Sequence, residues 1–272
     1  METPALTDRA ALARNRARAA RAPVTFLHEI ARDDLEDRLS MVNRRFTAPG
    51  IVSPRPEVWD GWLAGAVHVA PAEVLTLEPG AHDLVVHAMD LHWADDPVGQ
   101  LIQCRHALRP DGLFLGVLFG GRSLQELRAA LAEAESEVTG GLSPRVAPMG
   151  EVRDLGALLQ RAGFALPVAD NVSLTVRYPS ALHLMRELRG MGEANALAGR
   201  LRRPTRRAVL LHAAEIYAER AAHPEGGVTA TADFVVLTGW APDESQPKPL
   251  RPGTATHRLA DALGTKETPL ED

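Results

Sequence analysis

Short apolar runs alternate with amphipathic segments over most of this chain. Residues 83–88 and 112–119 are two such runs, rich in Val and Leu, and amphipathic sequence of about one helix length separates them. Apolar runs that do not alternate are typical of strands buried on both faces of a parallel sheet. The pattern therefore predicts a strand, helix, strand unit in an α/β fold, with a ligand site beyond the carboxyl ends of its strands.

The remaining periodicity predicts elements on both sides of this central unit. Helical spacing in residues 7–46, interrupted at Pro23, predicts two N-terminal helices. Ser123 and Glu126 predict a capping box for a helix over 123–138. Further strands are predicted at 46–52, 67–77, 172–178 and 231–239, and further helices at 56–64, 151–161, 181–188, 194–202 and 204–220.

These elements suggest three regions. Residues 1–45 form an N-terminal helical arm, residues 46–240 form the α/β domain, and residues 241–272 form a proline-rich, polar tail with a short helix at 257–263. Within the α/β domain, the stretch at about 181–221 is a helical insertion before the last strand.

Composition narrows the function classes. The 272 residues carry a net charge of −5, so the chain has no overall basic field for nucleic acid. Cys104 is the single cysteine, which excludes an internal disulfide and any multi-cysteine metal site. No apolar run reaches the roughly 18 residues that span a bilayer. The sequence predicts a soluble, cytoplasmic protein.

The first helix carries a basic cluster: Arg9, Arg14, Arg16, Arg18 and Arg21. One interpretation is a solvated face that the acidic second helix neutralises, and the other is a contact with an acidic partner or a membrane surface. The first interpretation is favoured, because acidic residues follow immediately in the second helix.

Several segments carry a family resemblance. They are HDLVVHAMDLHWADDP, ALRPDGLFLGVLFGG, LAEAESEVTGGLSPRVAPMGEVRDLGALLQRAGF and MRELRGMGEANAL. They resemble the methyltransferase-like family of respiratory complex I assembly factors, whose mitochondrial members are linked to hydroxylation of an arginine on a complex I subunit. A more distant resemblance is to the malonyl-carrier-protein methyltransferase of biotin synthesis.

The resemblance implies a fold, a cofactor and a partner. The fold is a class I methyltransferase-like (Rossmann-like) sheet with N-terminal helices and a helical insertion before the last strand, and the cofactor is S-adenosylmethionine. The implied partner is a protein substrate, a subunit of complex I, which allows a peripheral membrane contact. The oligomeric state and the catalytic residues stay unassigned.

The cofactor half departs from the family. A glycine-rich turn should follow the first strand, yet Gly50 stands alone beside Pro49, Pro54 and Pro56. Only about 36 residues separate Phe46 from the next strand, and one βαβ unit needs roughly 30 or more. We therefore expect a sheet that is shortened in this half and a weakened affinity for S-adenosylmethionine. Substitutes for the missing ribose carboxylate are Glu57, Asp60, Glu73 and Glu78, none of which lies in a recognisable turn.

The cofactor residues that the resemblance implies are Gly50, Met89, Leu91, His92 and Trp93. Trp93 could stack on a flat or cationic group, or could fill the core, and the sequence leaves both interpretations open. Asp90, His92 and His87 resemble a two-histidine, one-carboxylate iron site, but ordinary polar residues at a strand end are the favoured interpretation. No metal site is predicted.

The candidate substrate-binding residues are Asp95, Asp96, Gly120, Gly121, Gly192, Glu193 and Asn195. If the target is an arginine, the carboxylates in this set are natural bidentate partners. Capping of a helix that begins near Pro97 is the favoured role for the two aspartates. A tight turn is the favoured role for the paired glycines. Cys104 is predicted to be a buried apolar residue.

Three functions fit these observations. The first is an assembly or protein-modifying factor for a respiratory complex I subunit. The second is a conventional methyltransferase that acts on a small molecule or a carrier-bound acyl group, and the third is a non-catalytic binding module. The missing glycine turn disfavours the second, whereas the intact central unit favours the first over the third.

Overall fold

The computed structural model describes residues 5–247 together with Ala260, Gly264 and Thr265. The chain divides into two compact units, Met1–Pro242 and Asp243–Asp272. In the second unit, the carboxylate of Asp243 accepts a hydrogen bond from the backbone N–H of Ser245 at 2.9 Å. Most of the predicted tail, including all but Ala260 of the helix at 257–263, lies outside the described residues.

Two helices begin the first unit, as predicted. They are α1 (Arg9–Ala19) and α2 (Phe26–Met41), and Pro23 lies in the break between them. The Asp8 side chain caps α1 by accepting from the backbone N–H of Ala11 at 2.9 Å. The buried face of α2 packs on the sheet through residues such as Leu27, Ala31 and Leu35.

A six-stranded sheet forms the centre of the first unit. Its strands are β1 (Pro49–Val52), β2 (Val67–Val69), β3 (His82–Ala88), β4 (Leu108–Gly120), β5 (Ala165–Tyr178) and β6 (Val228–Trp240). The order is β2-β1-β3-β4-β6-β5, in which the first four strands are parallel and β6 is antiparallel to both of its neighbours. The predicted α/β class is confirmed. Its cofactor half is short, because β1 and β2 have four and three residues.

Helices cover both faces of the sheet. The remaining ones are α3 (Pro56–Trp59), a 3-10 helix (Leu91–Trp93), α4 (Pro97–Ala107), α5 (Gln125–Thr139), α6 (Val152–Arg161), α7 (Ala181–Met191) and α8 (Arg207–Arg220). Helices α2, α5, α7 and α8 share one core cluster with the sheet, α4 and α6 share a second, and α1 contributes to a third. Cys104 is fully buried on α4, and burial raises the pKa of its thiol to about 12, as suits an apolar core residue.

Three local predictions are wrong. The strand predicted at 67–77 ends at Val69. The other two fail because a distant partner binds the polar groups. Residues 194–202 form a loop rather than a helix, and Leu197 pairs with Thr7 ahead of α1. The predicted capping box is absent, because Ser123 Oγ exchanges hydrogen bonds with the backbone of Asp233 at 2.9 Å. The helix therefore begins at Gln125.

Parallel strand direction brings the carboxyl ends of β1, β2, β3 and β4 to one edge of the sheet. This edge is where an open α/β sheet holds its ligands. Among the described residues, no helix has the length and apolarity that crossing a membrane requires.

The paired glycines at the end of β4 allow close packing. A Cβ on Gly120 would lie 2.5 Å from Val235 Cγ2 and 3.0 Å from the Gly150 carbonyl oxygen. We expect Gly120→Ala to lower the free energy of unfolding by about 1–3 kcal/mol, because the neighbouring backbone has to shift. Gly141→Ala is the matched control, since nothing lies within 4 Å of that position. Equal urea midpoints for the two variants would show that the close contact is unimportant.

Candidate functional site

The site lies at the carboxyl end of β3. Met89 follows the strand in the left-handed region, at a φ of 55°, with its backbone N–H donating to the Val117 carbonyl oxygen at 2.7 Å. A non-glycine residue in this region is strained and is held there by its surroundings. The bend leads directly into Asp90, which is fully buried, and then into the 3-10 helix that carries His92 and Trp93.

Glu193, in the turn after α7, contacts the 3-10 helix that carries His92 and Trp93. Its Oε2 accepts a hydrogen bond from Trp93 Nε1 at 2.6 Å and lies 3.1 Å from His92 Nε2. Only 7% of the Glu193 side chain is exposed. Gly192, just before it, has a φ of 89° and ends α7 in the left-handed conformation that glycine favours. The helix end therefore places the carboxylate against the end of β3.

The Glu193 carboxylate is held ionised. Burial raises its pKa, but the neighbouring His92, the Arg16 charge and the hydrogen bond from Trp93 outweigh burial and lower the pKa to about 2. Both hydrogen bonds use Oε2, and within residues 5–247 no group donates to Oε1. The site thus combines a fixed negative charge with an oxygen that can accept further hydrogen bonds.

Glu193 forms part of the wall of a cavity of about 260 Å³. The lining is mostly apolar and comes from α2, the end of β4, α5, α7, α8 and β6, with Phe119, Met149, Leu188 and Leu210 among its residues. Glu193 is the one carboxylate among the described lining residues. A mostly apolar pocket with a few polar groups is the usual form of a ligand site.

The N-terminal arm completes the polar side of the site. Arg16 of α1 forms an ion pair with Asp90, with 18% of the arginine side chain exposed and none of the aspartate. Arg55, only 3% exposed, donates from Nη2 to the Gly190 carbonyl oxygen at 2.7 Å. His28 of α2 is buried among these charges. Arg16 therefore pairs with a buried carboxylate, and Arg16, Arg55 and Glu193 all lie close enough to His28 to affect its pKa.

The cluster does not use all of its own hydrogen-bonding groups. Five buried atoms have no hydrogen-bond partner within the described part of the chain: Arg16 Nε, His28 Nδ1, Arg55 Nε, Asp90 Oδ2 and His92 Nδ1. Buried polar groups are normally paired, and exceptions concentrate at functional sites. This cluster is therefore the strongest candidate for functional chemistry.

His28 should make stability depend on pH. Burial lowers its pKa to about 4. Below about pH 6.5, His28 is therefore protonated in the unfolded chain but stays neutral in the folded chain until the pH approaches 4. We expect about 3 kcal/mol of stability to disappear as the pH falls from 6.5 to 4. Urea unfolding across this range should show a flatter profile for His28→Leu than for the unsubstituted chain. The exposed His183→Leu control should keep the original slope, and identical profiles for all three proteins would contradict this account.

The structure places the predicted cofactor residues in different surroundings. His92 and Trp93 contact Glu193, and Met89 precedes Asp90 in the buried bend. Leu91 packs in the core cluster that contains α4 and α6, whereas Met89 belongs to the cluster on the other face of the sheet. Gly50 lies inside β1, paired with Val67 and Val85, so no glycine turn is present at that point.

Of the predicted substrate residues, the structure brings Glu193 to the cavity with Asn195, whose side-chain amide donates to the Pro144 carbonyl oxygen at 2.8 Å. Asp95 instead accepts from the backbone N–H groups of Leu6 and Thr7 at 2.7 and 2.9 Å. Asp96 caps α4 through the N–H of Gly99 at 2.8 Å, which confirms the capping interpretation for this residue.

The glycine positions around the site are tight. A Cβ on Gly121 would lie 2.7 Å from the Asp233 carboxylate, and one on Gly192 would lie 3.1 Å from Arg16 Cγ. Gly121 also has a positive φ of 53°. These contacts indicate roles in close packing and turn geometry at the edge of the sheet.

A second concavity, a crevice of about 700 Å³, lies beyond β1 and β2. Ser53, Pro54 and Pro56 line one side, and Arg9 and Arg16 of α1 line another. Glu73 also lines it, unlike the other three candidate ribose carboxylates. The residues after β1 read Ser-Pro-Arg-Pro, so no glycine allows the backbone close approach to a ligand here.

No metal centre forms within the described residues, since no group of three or more suitable side chains comes together. His87 Nε2 lies 2.8 Å from Oε1 of Gln100, which belongs to α4. Burial lowers the pKa of His87. Its ring therefore serves a core hydrogen bond.

Sequence reasoning missed Arg16, His28 and Arg55 as site residues. Arg16 belongs to the basic cluster that was expected to be a solvated face. Arg14, Arg18 and Arg21 are indeed exposed, whereas Arg16 pairs with Asp90 and Arg9 lies 3.5 Å from Asp95. Neither pair involves the acidic second helix, which was expected to neutralise the cluster. No local pattern distinguishes the arginines that turn inward.

Comparison with known proteins gives a consistent picture. No family model matches the chain. The chain is 40% identical over 196 residues to the mitochondrial arginine-hydroxylase NDUFAF5 of Danio rerio. The aligned region is 71% of this chain and 60% of that relative. This chain is a homologue of that arginine-hydroxylase. The resemblance read from its motifs is confirmed, although the chain spans only 43% to 60% of the length of the five arginine-hydroxylases it matches.

Two further similarities are more distant. The malonyl-[acyl-carrier protein] O-methyltransferase of Laribacter hongkongensis is 34% identical over 137 residues, which is 50% of this chain and 44% of that protein. Among solved structures, the YcgJ protein of Bacillus subtilis aligns with a TM-score of 0.47 at 10% identity, covering 78% of this chain and 99% of that one.

Proposed function

We propose that this protein is a methyltransferase-fold assembly or modifying factor for a respiratory complex I subunit, and that its cavity receives an arginine side chain of that subunit. The carrying observation is the ionised Glu193 in a mostly apolar wall, with Oε1 available. An arginine fits because its methylenes are apolar and its guanidinium is a fork of donors that suits a carboxylate. The names of the matched arginine-hydroxylases support the same target chemistry.

The surrounding groups would position this target. Trp93 and His92 fix the carboxylate through Oε2, which holds the Glu193 side chain in one orientation in the cavity wall. Phe119 packs edge-on against His92, with ring centroids 5.3 Å apart, and limits water on that side. A low-dielectric surrounding strengthens a charge-assisted hydrogen bond to a guanidinium. The proposed role of this chain is therefore to bind and orient an arginine of a partner protein, at a site peripheral to a membrane or on its cytoplasmic side.

We further propose that S-adenosylmethionine, the cofactor implied by the fold, does not fit the crevice in the usual manner. The turn after β1 has no glycine and carries buried Arg55, and Arg16 neutralises Asp90 at the next strand end. Arg55 would oppose the positively charged sulfonium of that cofactor, and Asp90, already paired with Arg16, would add no compensating negative charge. Calorimetric titration of S-adenosylmethionine should give no binding at micromolar strength. Micromolar binding would instead favour a conventional methyltransferase.

A second candidate function is methyl transfer to a carrier-bound acyl group. The mostly apolar cavity lining and the similarity to the Laribacter enzyme favour it. The crevice argues against it, because no glycine follows β1 and two arginines, Arg9 and Arg16, lie in the crevice lining.

A photo-crosslink from the cavity wall separates the two candidates. A photoreactive residue in place of Met185, which lines the cavity, is expected to capture an arginine-containing segment of a complex I subunit in respiring cells. The same residue in place of Leu211, which is exposed on α8 outside the lining, is the control. Capture of an acyl carrier would support the second candidate, and equal products from both positions would contradict the proposed site.

A further inference from the structure

We infer that the rim of the cavity selects a partner segment with acidic residues beside its target side chain. The inference rests on the proposed function and names a property of the segment that the proposed function leaves open. Three arginines carry it: Arg189 on α7, and Arg206 and Arg207 where α8 begins.

Three observations support this position for the arginines. Arg189 is exposed and lines the cavity directly. Arg145, which also lines the cavity, donates from Nη1 to Thr205 Oγ1 at 2.9 Å, so the segment leading into α8 is tied to the cavity wall. Leu210 lines the cavity one helical turn after Arg207, and residues three apart share a helix face.

The rim arginines have no internal counter-charge. None of the three side chains makes a hydrogen bond or an ion pair within residues 5–247, and all three are exposed. The neighbouring carboxylates have other partners: Glu135 pairs with Arg145 at 2.6 Å, and Glu137 pairs with His212 at 2.6 Å. Three unpaired guanidiniums therefore gather at one opening in a chain whose net charge is −5.

Arginine side chains at the rim are suited to bind carboxylates of a partner segment. Its planar guanidinium binds a carboxylate bidentately, which gives geometric selection as well as attraction. A segment that places an arginine at Glu193 would bring its flanking residues over the rim. Acidic flanks would gain attraction, whereas basic flanks would be repelled, so the rim would discriminate between arginines of the same partner.

The test uses two short synthetic peptides with a central arginine, one with aspartate and glutamate flanks and one with glycine and serine flanks. Fluorescence anisotropy at low salt should show that the acidic peptide binds about tenfold more tightly, the sum of a few exposed ion pairs. Replacing the three rim arginines by glutamine should remove this preference, so that the two peptides bind with equal affinity. The control replaces three exposed, unpaired arginines away from the rim, Arg45, Arg153 and Arg161, and should keep the preference.

Equal affinities for the two peptides, or a preference that survives the rim substitutions, would overturn the inference. Replacing the central arginine by norleucine separates it from the proposed function. If the acidic norleucine peptide bound as tightly as its arginine parent, the rim would bind acidic flanks but the cavity would not select arginine. That result would contradict the proposed function and leave the inference about the rim standing. Failure of every peptide to bind would overturn both proposals.

Discussion

Arg16→Ala is expected to lower the free energy of unfolding by about 3–5 kcal/mol, because it leaves the charge of Asp90 buried without its ionic partner. The aspartate is fully buried at the end of β3; Arg16 pairs with its Oδ1, and its Oδ2 has no hydrogen bond within the described residues. The Arg16 side chain also lies close to Gly192, where an added Cβ would be 3.1 Å from Arg16 Cγ, so the substitution removes packing there as well. Urea unfolding of the two proteins measures the difference directly.

A matched control lies two residues along the same helix. Arg18 is exposed and has no ion pair within residues 5–247, so Arg18→Ala should change stability by no more than about 0.5 kcal/mol. The double variant Arg16→Ala with Asp90→Ala removes both charges and should be more stable than Arg16→Ala alone. A double variant as unstable as the sum of its two single substitutions would show that the pair is not coupled.

Glu193→Gln is expected to weaken binding of an arginine peptide about 10- to 100-fold, which corresponds to one charge-assisted hydrogen bond. The substitution keeps the volume of the side chain and one acceptor for Trp93, so the cavity keeps its shape. The negative charge that would pair with the guanidinium is lost. Calorimetric titration of the arginine peptide into the purified Glu193→Gln variant and into the unsubstituted chain gives the change in affinity.

The control for this prediction is Glu219→Gln. Glu219 is exposed on α8 and does not line the cavity, so its replacement changes the net charge equally without touching the site. Its affinity for the peptide should match that of the unsubstituted chain. An equal loss in both variants would assign the effect to overall charge rather than to the cavity.

The sheet and the edge that carries the site follow from the apolar runs. Residues 83–88 and 112–119 are too apolar to face water, and parallel strands buried on both faces are the structure that satisfies them. The shortened cofactor half also follows, because the stretch between residues 46 and 82 holds one short unit and leaves β1 and β2 with few residues. Glu193 and Trp93 were found through the family resemblance rather than through periodicity.

The missed features depend on contacts between distant parts of the chain. The helical spacing of residues 194–202 is real, but hydrogen bonds from the arm, such as that from Asp8 N–H to the Ala196 carbonyl at 2.7 Å, hold them as a loop. Ser123 looked like a helix cap and instead bonds to the β6 backbone 110 residues away. Arg16 and His28 have ordinary helical neighbours, and only the packing of the arm against β3 makes them part of the site.

The most direct test of the central claim compares an arginine peptide with the same peptide carrying citrulline, which keeps the shape of the side chain and removes its charge. Calorimetry on the unsubstituted chain should show at least about tenfold tighter binding of the arginine peptide, and Glu193→Gln should erase the difference. Equal affinity for the two peptides, or a difference that persists without the Glu193 charge, would contradict the claim that this carboxylate receives a guanidinium.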